Sequence, residues 1–369
     1  MRTPALSSVE KKSNTQVREP QFRARLLGWY DAHARDLPWR KSREPYRVWV
    51  SEIMLQQTRV AAVIEHYHEF LRRFPTVKKL ASAREASVLA AWSGLGYYRR
   101  ARMLHAAAKV VVRKLGGQFP VTAEAWRQLP GIGRYTAAAI ASIAFGEAVA
   151  VVDGNVERVL QRAIGKRIAP EELWRQADHL LDHERPGDFN QAMMELGATV
   201  CTPRAPACLM CPVVELCATR GQLAVSPKAA KQNKREIHYA LVFRDGVDRT
   251  SGVFLVQRPR DAALMAGMWE LPEIEAAVAR TGEKRIPPLR VAQSRNDKTN
   301  GGANGNANNG TQELLFTVRH SITVTDYTVH VWRTTAPAGT SGAWVAFDRL
   351  KQVALTGLAR KALRKAGVL

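Results

Sequence analysis

The chain has 369 residues, of which 46% are hydrophobic, and its 55 Lys and Arg against 33 Asp and Glu give a formal net charge of +22. This length exceeds one ordinary compact core and favours two domains, while the apolar content excludes a chain that cannot fold. The positive charge indicates a polyanionic partner such as nucleic acid, without specifying what is done to it.

Residues 1–21 predict a flexible tail, because Arg2, Lys11 and Lys12 are scattered among polar residues and the continuous apolar core of a signal peptide is missing. The most apolar stretch, residues 137–152, is too short and too interrupted for a membrane span. We therefore expect a soluble, cytoplasmic protein without a membrane partner.

Residues 22–217 predict a mainly α domain, because apolar residues recur at helical spacing between glycine and proline breaks. One helix is predicted from Tyr46 to Phe70. Glu52 lies on it with Val48 and Leu55 as neighbours, and partial burial there would raise its pKa and make it a proton donor. Spacing alone leaves a solvated or ion-paired glutamate open.

The segment from Leu129 to Thr136 contains Gly131 and Gly133 and indicates a helix-hairpin-helix motif. Glycines permit close approach of the backbone, and the N–H groups at the start of the next helix, beside Arg134, can hold a phosphate without reading base sequence. A plain corner between two helices is the alternative.

Asp153 follows the apolar run 149–152 and stands at the start of a helix predicted to end near Gly165. Asp is among the best N-cap residues, so a purely structural role is one interpretation. A catalytic role is compatible with it, because a capping carboxylate is held in one place.

All four cysteines lie in one window with the spacing C-x6-C-x2-C-x5-C, at Cys201, Cys208, Cys211 and Cys217. Disulfides are not expected inside a cell, so the window predicts one metal centre. Four thiolates suit an iron–sulfur cluster, which we favour, and tetrahedral zinc is the alternative.

A basic connector at residues 218–235 separates this domain from a smaller α+β domain at 236–369. Residues 293–311, rich in Asn and Gly, predict a flexible insertion without catalytic residues. The elements predicted for the second domain are strands at 237–243, 253–256, 315–318 and 327–332 and a closing helix at 357–365.

Besides the hairpin, Asp153-Gly154-Asn155 and the cysteine window, the chain carries the motifs LPWR at 37–40, SEIMLQQT at 51–58, GLGYY at 94–98 and FNQAMMELG at 189–197. These motifs resemble the MutY family of adenine DNA glycosylases, within the helix-hairpin-helix (endonuclease III) superfamily. Taken together they are specific, and the resemblance spans roughly residues 22–217.

The resemblance implies a helix-hairpin-helix glycosylase fold with a 4Fe–4S cluster, acting on adenine mispaired with 8-oxoguanine. Glu52 would protonate N7 of the flipped adenine and Asp153 would stabilise the cationic sugar, so that both fragments of the broken bond are relieved of charge. The other residues carried over are Asn155 and Tyr135 beside the acids, Trp39, Arg40 and Glu195 in the adenine pocket, Gln57, Thr58, Leu95 and Tyr97 at the opened base pair, and Gly131, Gly133 and Arg134 at the DNA backbone.

The second domain resembles the Nudix-like domain of the same family through LMAGMWELP at 264–272 and WVAF at 344–347. The glutamates of a Nudix box do not follow Pro272, so recognition of the lesion is expected in place of pyrophosphate hydrolysis. Family members place Phe-Ser-His where this chain has Val318, Arg319 and His320, so only the contact of His320 with 8-oxoguanine carries over.

Three rival functions differ from this interpretation in the residues that they need. A lyase of the endonuclease III type would carry Lys in place of Tyr135 to form a Schiff base. A pyrophosphohydrolase would need the missing Nudix box, and a non-catalytic iron–sulfur DNA-binding protein would not need Glu52 and Asp153 together. We expect a monofunctional enzyme of the bacterial nucleoid that binds, as a monomer, duplex DNA with A:8-oxoguanine or A:G mispairs.

Overall fold

The computed structural model describes residues 19–223, 233–244, 251–262, 264–275, 313–322, 325–337 and 339–369. Most of the predicted tail, residues 224–232 of the predicted connector and the predicted insertion at 293–311 lie outside the described residues. No described helix is long and apolar enough to cross a membrane.

Helices make up the described chain as far as the cysteine window, in agreement with the predicted mainly α domain. Short 3-10 helices also occur, at Pro38–Arg40, Cys208–Met210 and Val214–Leu216. The α-helices are α1 (Glu19–His33), α2 (Pro45–Leu55), α3 (Val60–Arg73), α4 (Val77–Ser82), α5 (Glu85–Trp92), α6 (Arg99–Lys114), α7 (Ala123–Trp126), α8 (Arg134–Phe145), α9 (Gly154–Ile164), α10 (Pro170–Leu180) and α11 (Pro186–Thr199).

The predicted continuous helix from Tyr46 to Phe70 is wrong, because α2 ends at Leu55 and α3 begins at Val60. Gln56 leaves the helix with φ −55° and ψ 112°, and Gln57 has a left-handed φ of 55°. The apolar spacing continues across the break and hid it. The Gln56 side chain donates to Thr136 Oγ1 on α8 at 3.1 Å, which is a contact that spacing along the chain cannot predict.

The described residues form two compact units, each with more contacts inside it than with the other. The first unit is Met1–Gln57 with Val110–Pro227, and the second is Thr58–Lys109 with Lys228–Leu369. The helices α3 to α5 and most of α6 therefore group with the C-terminal residues. The predicted boundaries at residues 217 and 236 stay a prediction, because grouping by contacts does not test which part folds alone.

The first unit has a core in which α1, α9, α10 and α11 bury their apolar faces. Phe22, Leu160 and Leu196 are completely buried there. At Gly197, α11 approaches α9 so closely that a Cβ atom would lie 2.6 Å from the Cβ of Asn155. This approach fixes the start of α9, where Asp153 and Asn155 lie.

The described residues of the second unit form two four-stranded sheets and a closing helix, α12 (Gly357–Lys365), as the α+β prediction requires. The strands are β1 (Asn233–Leu241), β2 (Phe243–Arg244), β3 (Gly252–Gln257), β4 (Trp269–Glu270), β5 (Glu273–Ile274), β6 (Glu313–Ile322), β7 (Thr325–Arg333) and β8 (Ala343–Ala346).

One sheet has the order β5-β1-β7-β6, and in the other β3 pairs with β2, β4 and β8. The strands β1 and β7 run parallel, whereas β6 and β7 are antiparallel. Alternate residues such as Ile237, Tyr239 and Val331 enter a buried core that α12 covers with Leu358 and Leu363. The predicted strands at 253–256, 315–318 and 327–332 and the predicted closing helix are confirmed. The predicted strand at 237–243 is wrong at its end, because β1 stops at Leu241 and Phe243 belongs to β2 in the other sheet.

Candidate active site

Glu52 lies in the last turn of α2, within the first unit, and its side chain is 6% exposed. Trp49 of the same helix packs edge-on against Trp126, with ring centroids 5.5 Å apart, so α2 is anchored by aromatic burial. Tyr135, near the start of α8, donates its hydroxyl to Glu52 Oε2 at 2.8 Å. The same hydroxyl lies 3.4 Å from Met194 Sδ.

Burial raises the pKa of Glu52 from 4.5 to about 7, because a carboxylate loses the water that stabilises its charge. The negative charge of Asp153 raises the pKa further, and the Tyr135 hydrogen bond and the positive Arg40 lower it. The raised pKa expected from the sequence is confirmed. A carboxyl group with a pKa near neutrality is suited to donate a proton.

Asp153 is the N-cap of α9, as one interpretation of the sequence requires. Its Oδ1 accepts from the backbone N–H groups of Asn155 and Val156, both at 2.8 Å, and its Oδ2 accepts from Asn155 Nδ2 at 2.9 Å. Arg158 Nη2 in turn donates to Asn155 Oδ1 at 2.8 Å. Asp153 is thus held rigidly by donors, and capping does not compete with a role in chemistry.

Glu195 of α11 is 1% exposed. Its carboxylate accepts hydrogen bonds from Arg35 Nε at 2.6 Å, Arg35 Nη2 at 2.7 Å and Arg40 Nη2 at 2.8 Å. Burial would raise the pKa of Glu195, but its hydrogen bonds with the two arginines lower it to about 2. Glu195 is therefore an anion at neutral pH and fixes Arg40. Trp39, beside Arg40 in the Pro38–Arg40 turn, is buried.

Sequence reasoning missed Arg35, which lies outside every recognised motif. The available signal was indirect: a buried glutamate needs cationic partners, and Arg35 stands two positions before the 37–40 motif, which itself ends on Arg40.

The helix-hairpin-helix segment lies between α7 and α8, as predicted. Gly131 has φ 75°, a conformation that favours glycine, and Gly133 is the N-cap of α8 without a side-chain cap. Arg134 donates to Glu171 at 3.0 Å and its guanidinium lies 3.9 Å from the centroid of the Trp174 ring. The arginine at the predicted DNA backbone contact is thus already oriented by an acid and an indole.

Gln57, predicted to enter the opened base pair, is exposed at the break after α2. Its positive φ of 55° is uncommon for a residue with a side chain and indicates a constrained turn. Local strain at an exposed polar side chain is typical of functional positions, although its contact with DNA stays a prediction.

The predicted contact residues of the second unit lie around the turn between α5 and α6. Tyr97 is 46% exposed and has φ 47°, whereas Leu95 is buried at 6% exposure. Thr58 accepts a hydrogen bond from Arg100 Nη2 at 3.0 Å. Tyr97 and Thr58 are therefore linked through Arg100, whose guanidinium lies 5.5 Å from the Tyr97 ring centroid.

His320 lies on β6 opposite Tyr327 of β7, and burial lowers its pKa. Val318, two residues earlier, points into the core with 6% exposure, while Arg319 is exposed. His320 and Val318 are half-buried or buried, so only Arg319 of this triplet stands fully at the surface.

The four cysteines, which form no disulfide, come together as the sequence predicts. They line one cavity with Val159, Leu196 and Val213. Arg162 Nη1 lies 3.3 Å from Cys201 Sγ, and the Arg220 N–H donates to Cys217 Sγ at 3.4 Å. Positive charge and N–H donors beside the sulfurs suit thiolate ligands.

Four thiols around one cavity suit either an iron–sulfur cluster or a tetrahedral zinc. Elsewhere in the described part of the chain, Glu236, His238 and His330 bring three possible ligand atoms within 4.8 Å of one another.

Glu236, His238 and His330 are themselves a poor metal site. The two rings are stacked with centroids 4.9 Å apart, and the Trp332 indole N–H already donates to His238 Nδ1 at 3.2 Å. An indole can only donate, so it occupies the lone pair that a metal would need at that nitrogen.

Comparison with known proteins places these features in a repair family. Residues 50–180 match the model of the HhH-GPD superfamily base excision DNA repair proteins. The human protein named adenine DNA glycosylase is 45% identical over 313 residues, covering 69% of this chain and 57% of its own length. The Schizosaccharomyces pombe protein of the same name is 33% identical over 333 residues, covering 73% of this chain and 72% of its own.

Among solved structures, that of a thermostable thymine-DNA glycosylase is similar to this chain with a TM-score of 0.52 and 31% sequence identity. The match covers 55% of this chain and 96% of that one. This chain spans 57% of the length of the human relative and 60% of that of the mouse relative.

The burial of Glu52 predicts how stability depends on pH. Because the folded pKa is raised from 4.5 to about 7, the folded chain keeps a proton that the unfolded chain releases. The stability that this protonated group contributes is fully present below about pH 4.5 and is lost as the pH rises through 7. Relative to Glu52→Gln, which does not titrate, the wild type should lose roughly 3 kcal/mol of unfolding free energy between pH 4.5 and 8.

Urea denaturation of both proteins across this pH range measures the difference, and Glu65→Gln, at an exposed position of α3, is the matched control. A difference between wild type and Glu52→Gln that does not change with pH would show that the Glu52 pKa is not raised.

Proposed function

The chain belongs to the adenine DNA glycosylase family, and we propose that it hydrolyses the N-glycosidic bond of an adenine mispaired with 8-oxoguanine or guanine in duplex DNA. The observation that carries the proposal is the buried Glu52 with a pKa near neutrality in the same site as the rigidly held Asp153. Two carboxyl groups in opposite environments are what an acid and an anion in one site require.

The reaction needs one proton and one fixed negative charge. Glu52 passes its proton to N7 of the flipped adenine while the C1′–N9 bond breaks and its electron pair leaves with the base. The sugar becomes an oxocarbenium ion that faces the Asp153 carboxylate, in analogy with glycoside hydrolysis. Water then adds to C1′ and gives its proton to the Glu52 carboxylate, which restores the acid.

The residue type at Tyr135 supports an enzyme that hydrolyses the glycosidic bond and does not cleave the DNA strand. A lyase needs an amine that attacks C1′, whereas this position carries a phenol that donates to Glu52 Oε2. In the proposed reaction Tyr135 orients the acid, and Asn155 does the same for Asp153 through two hydrogen bonds.

Duplex binding is proposed to use the net charge of +22 for affinity and the hairpin for placement. The uncapped N–H groups that follow Gly133 suit a phosphate, with Arg134 beside them. Arg40, fixed by Glu195, and the buried Trp39 are proposed to shape the adenine pocket. We further propose that the protein acts as a monomer in the cytoplasm, at the bacterial nucleoid.

A 4Fe–4S cluster is proposed to be held by Cys201, Cys208, Cys211 and Cys217, which line one cavity. Bound there, the cluster would tie residues 201–217 into one rigid loop by four iron–thiolate bonds. Arg162 would orient Cys201 through the 3.3 Å contact with its sulfur.

Inspection of the opposite base is proposed to involve Gln57, Thr58, Tyr97 and His320. Adenine is undamaged, so an enzyme that removes it must recognise the partner base. The exposed Arg319 replaces the usual small hydroxyl residue and is proposed to favour the phosphate backbone, which would make binding more dependent on salt.

Single-turnover excision tests the chemistry. Duplexes carry adenine opposite 8-oxoguanine, guanine or thymine, and a further duplex carries thymine opposite guanine, since one similar structure is a thymine-DNA glycosylase. We expect release of adenine from the first two duplexes and strand breaks only after alkali. Glu52→Gln should bind the duplex but lose about a hundredfold or more in rate, because an amide cannot donate the N7 proton.

Asp153→Asn should lose excision as well, whereas Glu65→Gln should retain it. A Glu52→Gln rate near that of the wild type would contradict the acid assignment. Release of thymine in place of adenine, or strand breaks without alkali, would contradict the proposed function.

Metal analysis tests the cluster. Protein purified without oxygen should contain iron and inorganic sulfide in equal amounts, and Cys208→Ser should lower both, because one of the ligands is removed. Stoichiometric zinc without iron in the wild type would reverse the assignment.

A further inference from the structure

The turn at residues 93–98, which joins α5 to α6, is conformationally constrained. Gly94, Gly96 and Tyr97 have φ values of 114°, 70° and 47°. A Cβ at Gly94 would lie 2.9 Å from the His66 ring, so the backbone passes close to α3. Tyr97 is exposed at the tip of this turn, in a conformation that a side chain disfavours. Contacts from outside the turn are therefore needed to hold Tyr97 in this conformation.

Part of the support comes from the neighbouring helices. The Trp92 indole N–H donates to the Gly96 carbonyl at 3.2 Å. Arg100 Nη2 donates to the carbonyls of Leu95 at 3.1 Å and Gly96 at 3.2 Å. These bonds come from residues next to the turn in sequence.

The rest of the support comes from the C-terminal end of the chain, within the same compact unit. Arg360 of α12 donates from Nε to Ser93 Oγ at 2.9 Å. Ser93 Oγ and the Tyr98 hydroxyl donate to the carbonyl oxygen of Leu355 at 3.2 Å and 2.9 Å. Both ends of the turn are thus tied to the segment 355–360.

These contacts are buried: Ser93 is 2% exposed, Tyr98 is 4% exposed and Leu355 is completely buried. Hydrogen bonds of this kind matter because each donor left without an acceptor keeps its desolvation cost. Arg102 of α6 adds a further link by donating to the carbonyl of Ala266. The segment 58–109 and the C-terminal residues are therefore joined by polar bonds that sequence distance conceals.

We propose that Arg360, Ser93 and Tyr98 are positioning residues for Tyr97. Through the segment 355–360, the second domain holds the 93–98 turn and thereby fixes the position in which the Tyr97 side chain meets the mispair. The proposal rests on the proposed function, in which Tyr97 meets the opened base pair. It adds a second way for the C-terminal domain to affect base selection, acting through the turn and separate from any direct contact with the lesion.

The test uses the full chain with Arg360→Met, which removes the donor and keeps the length of the side chain. Arg364→Met is the matched control, since Arg364 lies one turn later on α12, is exposed and carries the same charge. Tyr98→Phe removes only a hydroxyl and guards against misfolding of the first variant. Hydrogen exchange of the peptide 93–100 is followed by mass spectrometry.

Exchange in this peptide should rise about tenfold in Arg360→Met and in Tyr98→Phe and stay at the wild-type value in Arg364→Met. Unchanged exchange in both variants would overturn the proposal, whether or not the protein excises adenine. If exchange rises but the wild type excises no adenine from any duplex, the proposed function fails while the hold on the turn is established.

A double-mutant cycle then separates positioning from general stability. Single-turnover excision opposite 8-oxoguanine is compared for Arg360→Met, Tyr97→Ala and the double variant. If Arg360 acts through Tyr97, the double variant should be no slower than Tyr97→Ala alone. Rate losses that multiply would show that Arg360 acts elsewhere and would contradict the proposal.

Discussion

The hydrogen bond between the Tyr135 hydroxyl and the buried Glu52 carboxyl is the contact on which the candidate site depends. It joins α2 to α8 in a place from which water is excluded, so Glu52 keeps a proton at a pH where an exposed glutamate has lost it. The helices that enclose it are held by apolar packing, with Trp49 against Trp126 behind α2. Stability and chemistry are therefore opposed at Glu52, because the burial that makes it an acid costs folding energy above neutral pH.

Three carboxyl groups of the first unit differ only in their surroundings. Glu52 is buried beside one hydroxyl and is raised in pKa, whereas Glu195 is buried beside two guanidinium groups and its pKa is lowered to about 2. Asp153 is held by backbone N–H groups at the start of α9. Their partners therefore distinguish the proposed acid, Glu52, from the buried anion Glu195 and from Asp153, the N-cap of α9.

Features that depend on neighbours in sequence could be predicted. The N-cap at Asp153, the glycines of the hairpin, the cysteine window and α12 each follow from a short pattern with a local physical cause. The apolar neighbours of Glu52 on the helix indicated partial burial, but spacing left a solvated or ion-paired glutamate open, and the structure shows the side chain buried.

Features that depend on contacts between distant residues could not. Arg35 binds Glu195 across 160 positions, and the break after Leu55 serves a bond from Gln56 to another helix. The bond from Arg360 to Ser93 spans 267 positions, and no motif marks it. Spacing reports which face of an element is apolar, but it does not report which distant element that face meets.

The central claim is that Glu52 is the acid, with a pKa that burial raises and the hydrogen bond from Tyr135 partly lowers. The most direct measurement is the rate of single-turnover adenine excision as a function of pH, for the wild type and for Tyr135→Phe. The wild-type rate should fall as the pH rises through about 7, and the fall should move to higher pH in Tyr135→Phe, because the hydroxyl that stabilises the carboxylate is gone. A fall near pH 4.5, or the same profile in both proteins, would contradict the account.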